Sequence, residues 1–267
     1  MPLISDSAGL DKLLQEVSEL AREAGEIVLA DIKRPARVMF KGRIDLVTET
    51  DLAVEKFLKE GLKPLLPGAA FLAEESAEGA GLSELTWVID PLDGTTNFAH
   101  GLPFVATSIG LWRQDRIVLA VINCPFLNEC FTARLGGGAF CNEEPISVSG
   151  AETLERSLLA TGFPYNFKDR EDLLLKRLAR ALPSVQGVRR CGAAAIDLAY
   201  VAAGRFDAYY EGWLAPWDSA AGLLLVEEAG GRVSTLNGEP YDIYSPHILA
   251  SNGRVHDALI TLLGDLV

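Results

Sequence analysis

The sequence predicts an α/β (α+β) fold in two units, an N-terminal α+β part over residues 1–145 and a C-terminal α/β part over 146–267. Three observations lead there. Two amphipathic helical patterns open the chain, a run of short β-favouring segments follows, and beyond the Asn142-Glu143-Glu144-Pro145 turn short strands alternate with helical patterns. At 267 residues the chain can bury a substantial core.

Leu10, Leu13, Leu14, Val17, Leu20, Ala21, Ala24, Ile27 and Val28 recur at helical spacing, which predicts one helix ending before Arg34-Pro35. Val54, Phe57, Leu58 and Leu62 predict a second from about Glu49 to Leu65, closed by Pro64 and Pro67. Phe71 to Ala73, Trp87 to Ile89, Val105 to Trp112, Ile117 to Asn123 and Cys130 to Ala133 are bounded by turn residues and predict a largely antiparallel sheet. Gly136-Gly137-Gly138 reads as a hairpin turn. In the second half, strands are expected at Ser157 to Thr161, Val185 to Arg189, Asp207 to Tyr210, Arg232 to Thr235 and His247 to Ala250, with helices at about 169–182, 194–203, 217–229 and 253–263.

Composition removes several function classes. Hydrophobic residues make up 49% and charged residues 23%, the range of globular proteins, so disorder and coiled coil are excluded. With 24 Lys and Arg against 37 Asp and Glu, the net charge of −13 opposes binding to nucleic acid or to an anionic membrane surface. Charged residues interrupt every apolar stretch before it could span a bilayer, and Met1 to Asp6 lack the features of a secretory signal, so a cytoplasmic location is expected. Cys124, Cys130, Cys141 and Cys191 have no metal-binding spacing and are read as reduced thiols. There is no phosphate-binding loop, dinucleotide fingerprint or nucleophile elbow, and His100, His247 and His256 are scattered. Any metal would therefore be held by oxygen, which favours magnesium, manganese or calcium over zinc.

The acids are the remaining signal. In Trp87 to Phe98 a buried strand ends in Asp90-Pro91, turns at Gly94 and opens a short helix, so Asp90, Asp93 and the Leu92 carbonyl can aim at one point. The Gly94 and Thr95 N–H groups at that helix start could hold an anion such as phosphate. Each acid also has an ordinary reading. Asp93-Gly94 would be a turn, Asp218 a helix N-cap, Glu74 and Glu75 a solvated strand end, and Asp51 part of a capping box with Thr48. Convergence would change this, because two carboxylates about 4 Å apart repel by about 4 kcal/mol at an effective dielectric of 20. A shared cluster requires a cation or protons.

Lys41 with Asp45 to Asp51, Glu74-Glu75-Ser76, Asp90 to Phe98, Pro216 to Gly222 and Glu228-Ala229-Gly230-Gly231 together resemble, in order, the motifs of the inositol monophosphatase family, the magnesium-dependent, lithium-sensitive sugar phosphatases. The resemblance spans nearly the whole chain and implies a five-layered α/β/α/β/α sandwich with the site between the two units. It implies two or three Mg²⁺ ions, one held by Glu74, Asp90 and the Leu92 carbonyl, another by Asp90, Asp93 and Asp218, and a third near Glu74. Asp51 and Thr95 would orient and deprotonate the attacking water, with Glu74 the third catalytic residue. Asp93, Gly94, Thr95, Gly192, Ala193, Ala194, Glu211 and Asp218 would contact substrate, Glu211 on the polyol side; Ala193 stands where some relatives carry a hydroxyl.

The implied reaction is hydrolysis of a small phosphorylated polyol, myo-inositol 1-phosphate, by a homodimeric cytoplasmic enzyme. Fructose 1,6-bisphosphate and histidinol phosphate are the alternative substrates. Adenosine 3′,5′-bisphosphate is disfavoured because Thr96-Asn97 replaces the Thr-Lys of such relatives. A non-catalytic interaction protein on the same fold is the rival of a different class, opposed by the presence of both Asp51 and Thr95.

Overall fold

Leu10, Leu13, Val17, Ala21, Ala24 and Val28 form the buried stripe of α1 (Ser7–Asp31), three residues longer at each end than its apolar periodicity. The computed structural model describes residues 7–32, 38–40, 46–77, 79, 81–164 and 167–267, with backbone alone at 38–40 and 46. Residues 1–6, the Arg34-Pro35 stop and the Lys41 and Asp45 of the first motif lie outside the described residues.

A ladder of β1 (Val38–Phe40) and β2 (Leu46–Thr48), which hydrophobic patterning did not announce, leads into α2 (Glu49–Leu65). Thr48 and Asp51 form its capping box. There follow β3 (Ala70–Ala73), a 3₁₀ turn at Glu74–Ser76, β4 (Leu85–Asp93), α3 (Thr95–Ala99), β5 (Ala106–Arg113), β6 (Arg116–Cys124), β7 (Glu129–Arg134), β8 (Gly138–Cys141) and β9 (Glu144–Ile146). Strands β3 to β9 lie side by side in chain order, antiparallel except for the β3–β4 pair. Strands β8 and β9 were not expected; four and three residues are too few to register as alternation. The expected hairpin turn at Gly136 to Gly138 joins β7 to β8.

The second half contains β10 (Leu158–Thr161), α4 (Glu171–Ala181), β11 (Gly187–Arg189), α5 (Ala194–Ala202), β12 (Ala208–Gly212), α6 (Pro216–Glu228), β13 (Arg232–Ser234), β14 (His247–Ser251) and α7 (His256–Leu263). Its sheet runs β11-β10-β12-β14-β13, parallel on both sides of β10 and antiparallel around β14.

The core falls into three clusters, and they define the layers. Leu13, Val17 and Leu58 of α1 and α2 pack on Trp87, Ile89 and Leu119 of the first sheet. On that sheet's other face, α5 and α6 bury Leu198 and Leu225 between Ile122 and Phe131 on one side and Tyr209 and Ile248 of the second sheet on the other. Leu259 and Leu263 of α7, with Ala181 of α4, cover the outer face at Ala208, Tyr210 and Leu249. The molecule is thus the α/β/α/β/α sandwich expected. Helices α5 and α6 carry apolar residues around most of their circumference because both flanks are covered by sheet. Among the described residues no helix is long and apolar enough to cross a membrane.

The close contact of α5 with α6 passes through Gly222, where a methyl would lie 2.5 Å from Leu198 Cβ and 3.0 Å from its Cγ. Overpacking of this kind costs about 1–3 kcal/mol, against the roughly 1 kcal/mol of helix propensity that alanine adds. Gly222→Ala should therefore lower unfolding free energy by up to about 2 kcal/mol in a urea titration, and a raised midpoint would show that the two helices separate freely.

Candidate active site

Strand β4 does not stop at Asp90-Pro91, as the sequence reading had it. It continues to Asp93 through an irregularity, with pairing to β5 lost between Asp90↔Ser108 and Asp93↔Ala106. Pro91 has no N–H to give the ladder, and its carbonyl accepts instead from the Thr107 hydroxyl at 3.0 Å. The bulge re-aims Asp90, Leu92 and Asp93 beside one another. Gly94 then turns the chain into α3 at φ +90°, where a side chain would be strained and its Cβ would lie 2.6 Å from the Phe104 carbonyl.

Acids of the second, third and fourth motifs meet here. Glu74, Asp90, Asp93 and Asp218 line one cleft of about 730 Å³ together with Leu92, Gly94, Thr95, Gly192, Ala193, Ala194 and Glu211. Asp51 lies behind Thr95, fully buried, and receives the Thr95 hydroxyl at 3.1 Å. Every residue to which the resemblance gave a metal, catalytic or substrate role therefore lies in the cleft or one hydrogen bond from it, whereas Glu228 of the last motif lies elsewhere and accepts from Gly136 N and Gly138 N.

Backbone amides hold the carboxylates in place. Asp51 Oδ2 accepts from Thr48 N at 2.8 Å and from the Thr48 hydroxyl, Asp90 Oδ1 from Leu92 N at 2.9 Å, and Asp218 Oδ2 from Ala215 N at 2.7 Å. Asp51 is the acid of the capping box its ordinary reading named, whereas Asp218 is not the N-cap expected: Ala215 takes that place and Asp218, three residues on in the first turn of α6, reaches back to its N–H; both acids also face the site. Asp93 reaches across the layers, its Oδ2 accepting from Ala195 N at 2.7 Å in the first turn of α5. The start of α5, expected to meet substrate, thus carries Asp93 on its amide at 195. Glu211 accepts from the Tyr209 hydroxyl.

Crowding raises the proton affinity of these groups. Burial, then the charges of Glu74, Asp93 and Asp218, push Asp90 well above the carboxylate range. Asp218 rises through burial and then Asp93, and Asp51 through burial despite its hydrogen bonds. Asp93 and Glu211 are each lifted by burial to about 7. Among the described residues no three acidic, imidazole or thiol groups stand at metal-ligand spacing. The fit to a hard cation rests on donor chemistry, which is all oxygen, and on the repulsion a divalent charge would relieve.

Motif reading missed the remaining walls: Gly162, Phe163, Pro164, Phe167, Lys168, Asp169, Arg190, Trp213 and Leu214. The breaker pair Gly162 and Pro164 at the end of an apolar strand was the available signal for Phe163 between them. Asn97, noted only as a departure from relatives, donates to the carbonyls of Phe104 at 2.8 Å and Cys191 at 2.9 Å, tying α3 to the loop that carries Gly192.

The profile of the inositol monophosphatase family matches residues 10–266. Inositol monophosphatase 3 of Solanum lycopersicum is 39% identical over 98% of this chain and 100% of its own length. The Nus factor SuhB of Pseudomonas aeruginosa is 42% identical over 95% of this chain and 96% of its own. Among solved structures, the inositol monophosphatase from Anabaena (Nostoc) sp. PCC 7120 superposes with a TM-score of 0.87 at 39% identity, covering 96% of each chain.

Because the folded-state affinity of Asp93 for its proton is raised to about 7, the stability it contributes is present at low pH and is lost as pH rises through that value. Asp93→Asn keeps an acceptor for Ala195 N and removes the charge. In excess chelator the variant should melt at or above the parent near pH 8, with the gap closing near pH 5, in thermal melts at both values. A variant less stable than the parent near pH 8 would show that Asp93 acts there as a cap whose charge is needed.

Proposed function

The chain belongs to the inositol monophosphatase family and is a phosphatase, and we propose that its reaction is the magnesium-dependent hydrolysis of myo-inositol 1-phosphate. The observation that carries this reading is the gathering of Glu74, Asp90, Asp93, Glu211 and Asp218 in one cleft beside the amide end of α3.

Glu74, Asp90 and the Leu92 carbonyl would hold one magnesium ion, Asp90, Asp93 and Asp218 a second, and Glu74 would neighbour a third. Bound magnesium would acidify the attacking water and neutralise the charge on phosphate and leaving alkoxide. Thr95 has one hydroxyl proton and two acceptors at 3.1 Å, Asp51 Oδ1 and the Leu92 carbonyl. Giving that proton to Asp51 leaves the Thr95 oxygen to take one from water, and the desolvated Asp51 carboxylate suits the role of final acceptor. Gly94 and Thr95 would place the phosphate, with water attacking in line with the leaving sugar oxygen.

On the other side of the cleft, Glu211 would accept hydrogen bonds from vicinal hydroxyls, with Asp93 and residues 192–194 completing the substrate wall. Ala193 offers no hydroxyl, so selectivity for the polyol would rest on Glu211. A cytoplasmic homodimer, each subunit divided near residue 145 into an N-terminal and a C-terminal half, completes the reading. Fructose 1,6-bisphosphate and histidinol phosphate are the competing substrates, and the Nus factor among the relatives supports a binding role alongside catalysis.

Turnover should require Mg²⁺, disappear in excess chelator, and be inhibited by lithium at roughly tens of millimolar. Phosphate release measured across inositol, fructose and histidinol phosphates tests this; full rate in chelator would remove the metal from the mechanism. Glu211→Gln should cost about 1–3 kcal/mol in kcat/KM for inositol 1-phosphate, and much less for an aryl phosphate with no hydroxyls to recognise. Equal losses on both would place Glu211 in the hydrolytic machinery.

A further inference from the structure

Glu211 occupies an unusual seat for a carboxylate, and two residues outside every motif build it. Strand β12 is buried along all five residues, and its alternation puts Tyr209 and Glu211 on the same face, toward α5 and α6. The Tyr209 ring is fully buried and its hydroxyl donates to Glu211 Oε2, which fixes the rotation of the carboxylate within the cleft.

The second contact comes from the neighbouring strand. Thr161 of β10 is in register with Tyr210, so the next residue, Gly162, lies alongside Glu211. A methyl at Gly162 would overlap both Glu211 oxygens and their carbon. Gly162 does not have the left-handed backbone of Gly94, Gly192 and Gly204. With φ outside the left-handed region, its backbone does not itself call for glycine, and the nearest atoms a side chain would meet are those of the Glu211 carboxyl.

We propose that Tyr209 and Gly162 are positioning residues that seat the Glu211 carboxylate and so set the preference for phosphate esters of vicinal polyols. The inference rests on the polyol role of Glu211 and extends it to groups that touch neither phosphate nor metal. Tyr209 limits the carboxylate from the sheet side and Gly162 leaves the notch in which it lies. A carboxylate freed from either would meet a pair of adjacent hydroxyls at the wrong angle, while a phosphoryl group held by Gly94 and Thr95 is unaffected.

The experiment compares kcat/KM for myo-inositol 1-phosphate and 4-nitrophenyl phosphate in the parent enzyme, Glu211→Gln, Tyr209→Phe and Gly162→Ala, all with saturating Mg²⁺. Tyr209→Phe removes only the hydroxyl and should lower the inositol-to-aryl selectivity ratio about tenfold through KM, with Gly162→Ala lowering it at least as far. If Glu211→Gln collapses the ratio and neither other variant moves it, this inference fails and the role of Glu211 stands. If Glu211→Gln also leaves the ratio unmoved, the polyol reading itself fails. Equal losses on both substrates in Tyr209→Phe would mark a structural role and overturn the proposal. Should Gly162→Ala not fold, Tyr209→Phe decides alone.

Discussion

Mutual repulsion among buried carboxylates is the constraint on which the site depends. Asp90 and Asp218 are both pushed toward protonation by burial and by acids around them, yet each keeps a backbone amide as a partner. An amide is a fixed donor, since its position belongs to a strand or helix and it cannot rotate away as a side chain can. The fold thus holds charge where water alone would disperse it, and it does so with the bulge of β4 and the ends of α2, α5 and α6. Preorganisation of this kind is what transition-state stabilisation by fixed groups requires.

The layered architecture explains why the anchors converge. Helices α5 and α6 are covered by sheet on both sides, so their N-termini are among the few places where helix amides reach the cleft between the sheets. Asp218 enters from the start of α6, while Asp93 enters from the first sheet and ends on the start of α5. The second sheet supplies Glu211 from its central strand. The donor set is complete only when all of these layers are in place.

Much of this was legible in the sequence because the chemistry clusters in short runs. Asp90 to Phe98 contains the end of a strand, a proline, a glycine and two acids within nine residues, and the expectation that Asp90, Leu92 and Asp93 gather beside a turn at Gly94 follows from those types. The dual nature of Asp51 and Asp218 was also visible, since a capping residue and a site acid ask for the same side chain at the same place. What stayed hidden depends on pairing at a distance. The bond from Ala195 to Asp93 joins residues 102 apart, and no local pattern announces it. Strand β4 was cut short because a proline normally ends a ladder, whereas here the bulge absorbs it. Phe163, Arg190 and Trp213 line the cleft through loops whose course is set by the tertiary fold.

The amide of Ala195 has a consequence for ligand binding. One oxygen of Asp93 is engaged by the first turn of α5, so any ligand that draws this carboxylate toward itself competes with the end of a helix in the middle of the molecule. Affinity at the cleft and the integrity of that turn are then two sides of one linkage, and by reciprocity each must change the other by the same factor. Substitutions along α5, well outside the cleft, become a means of tuning occupancy without altering a single ligand.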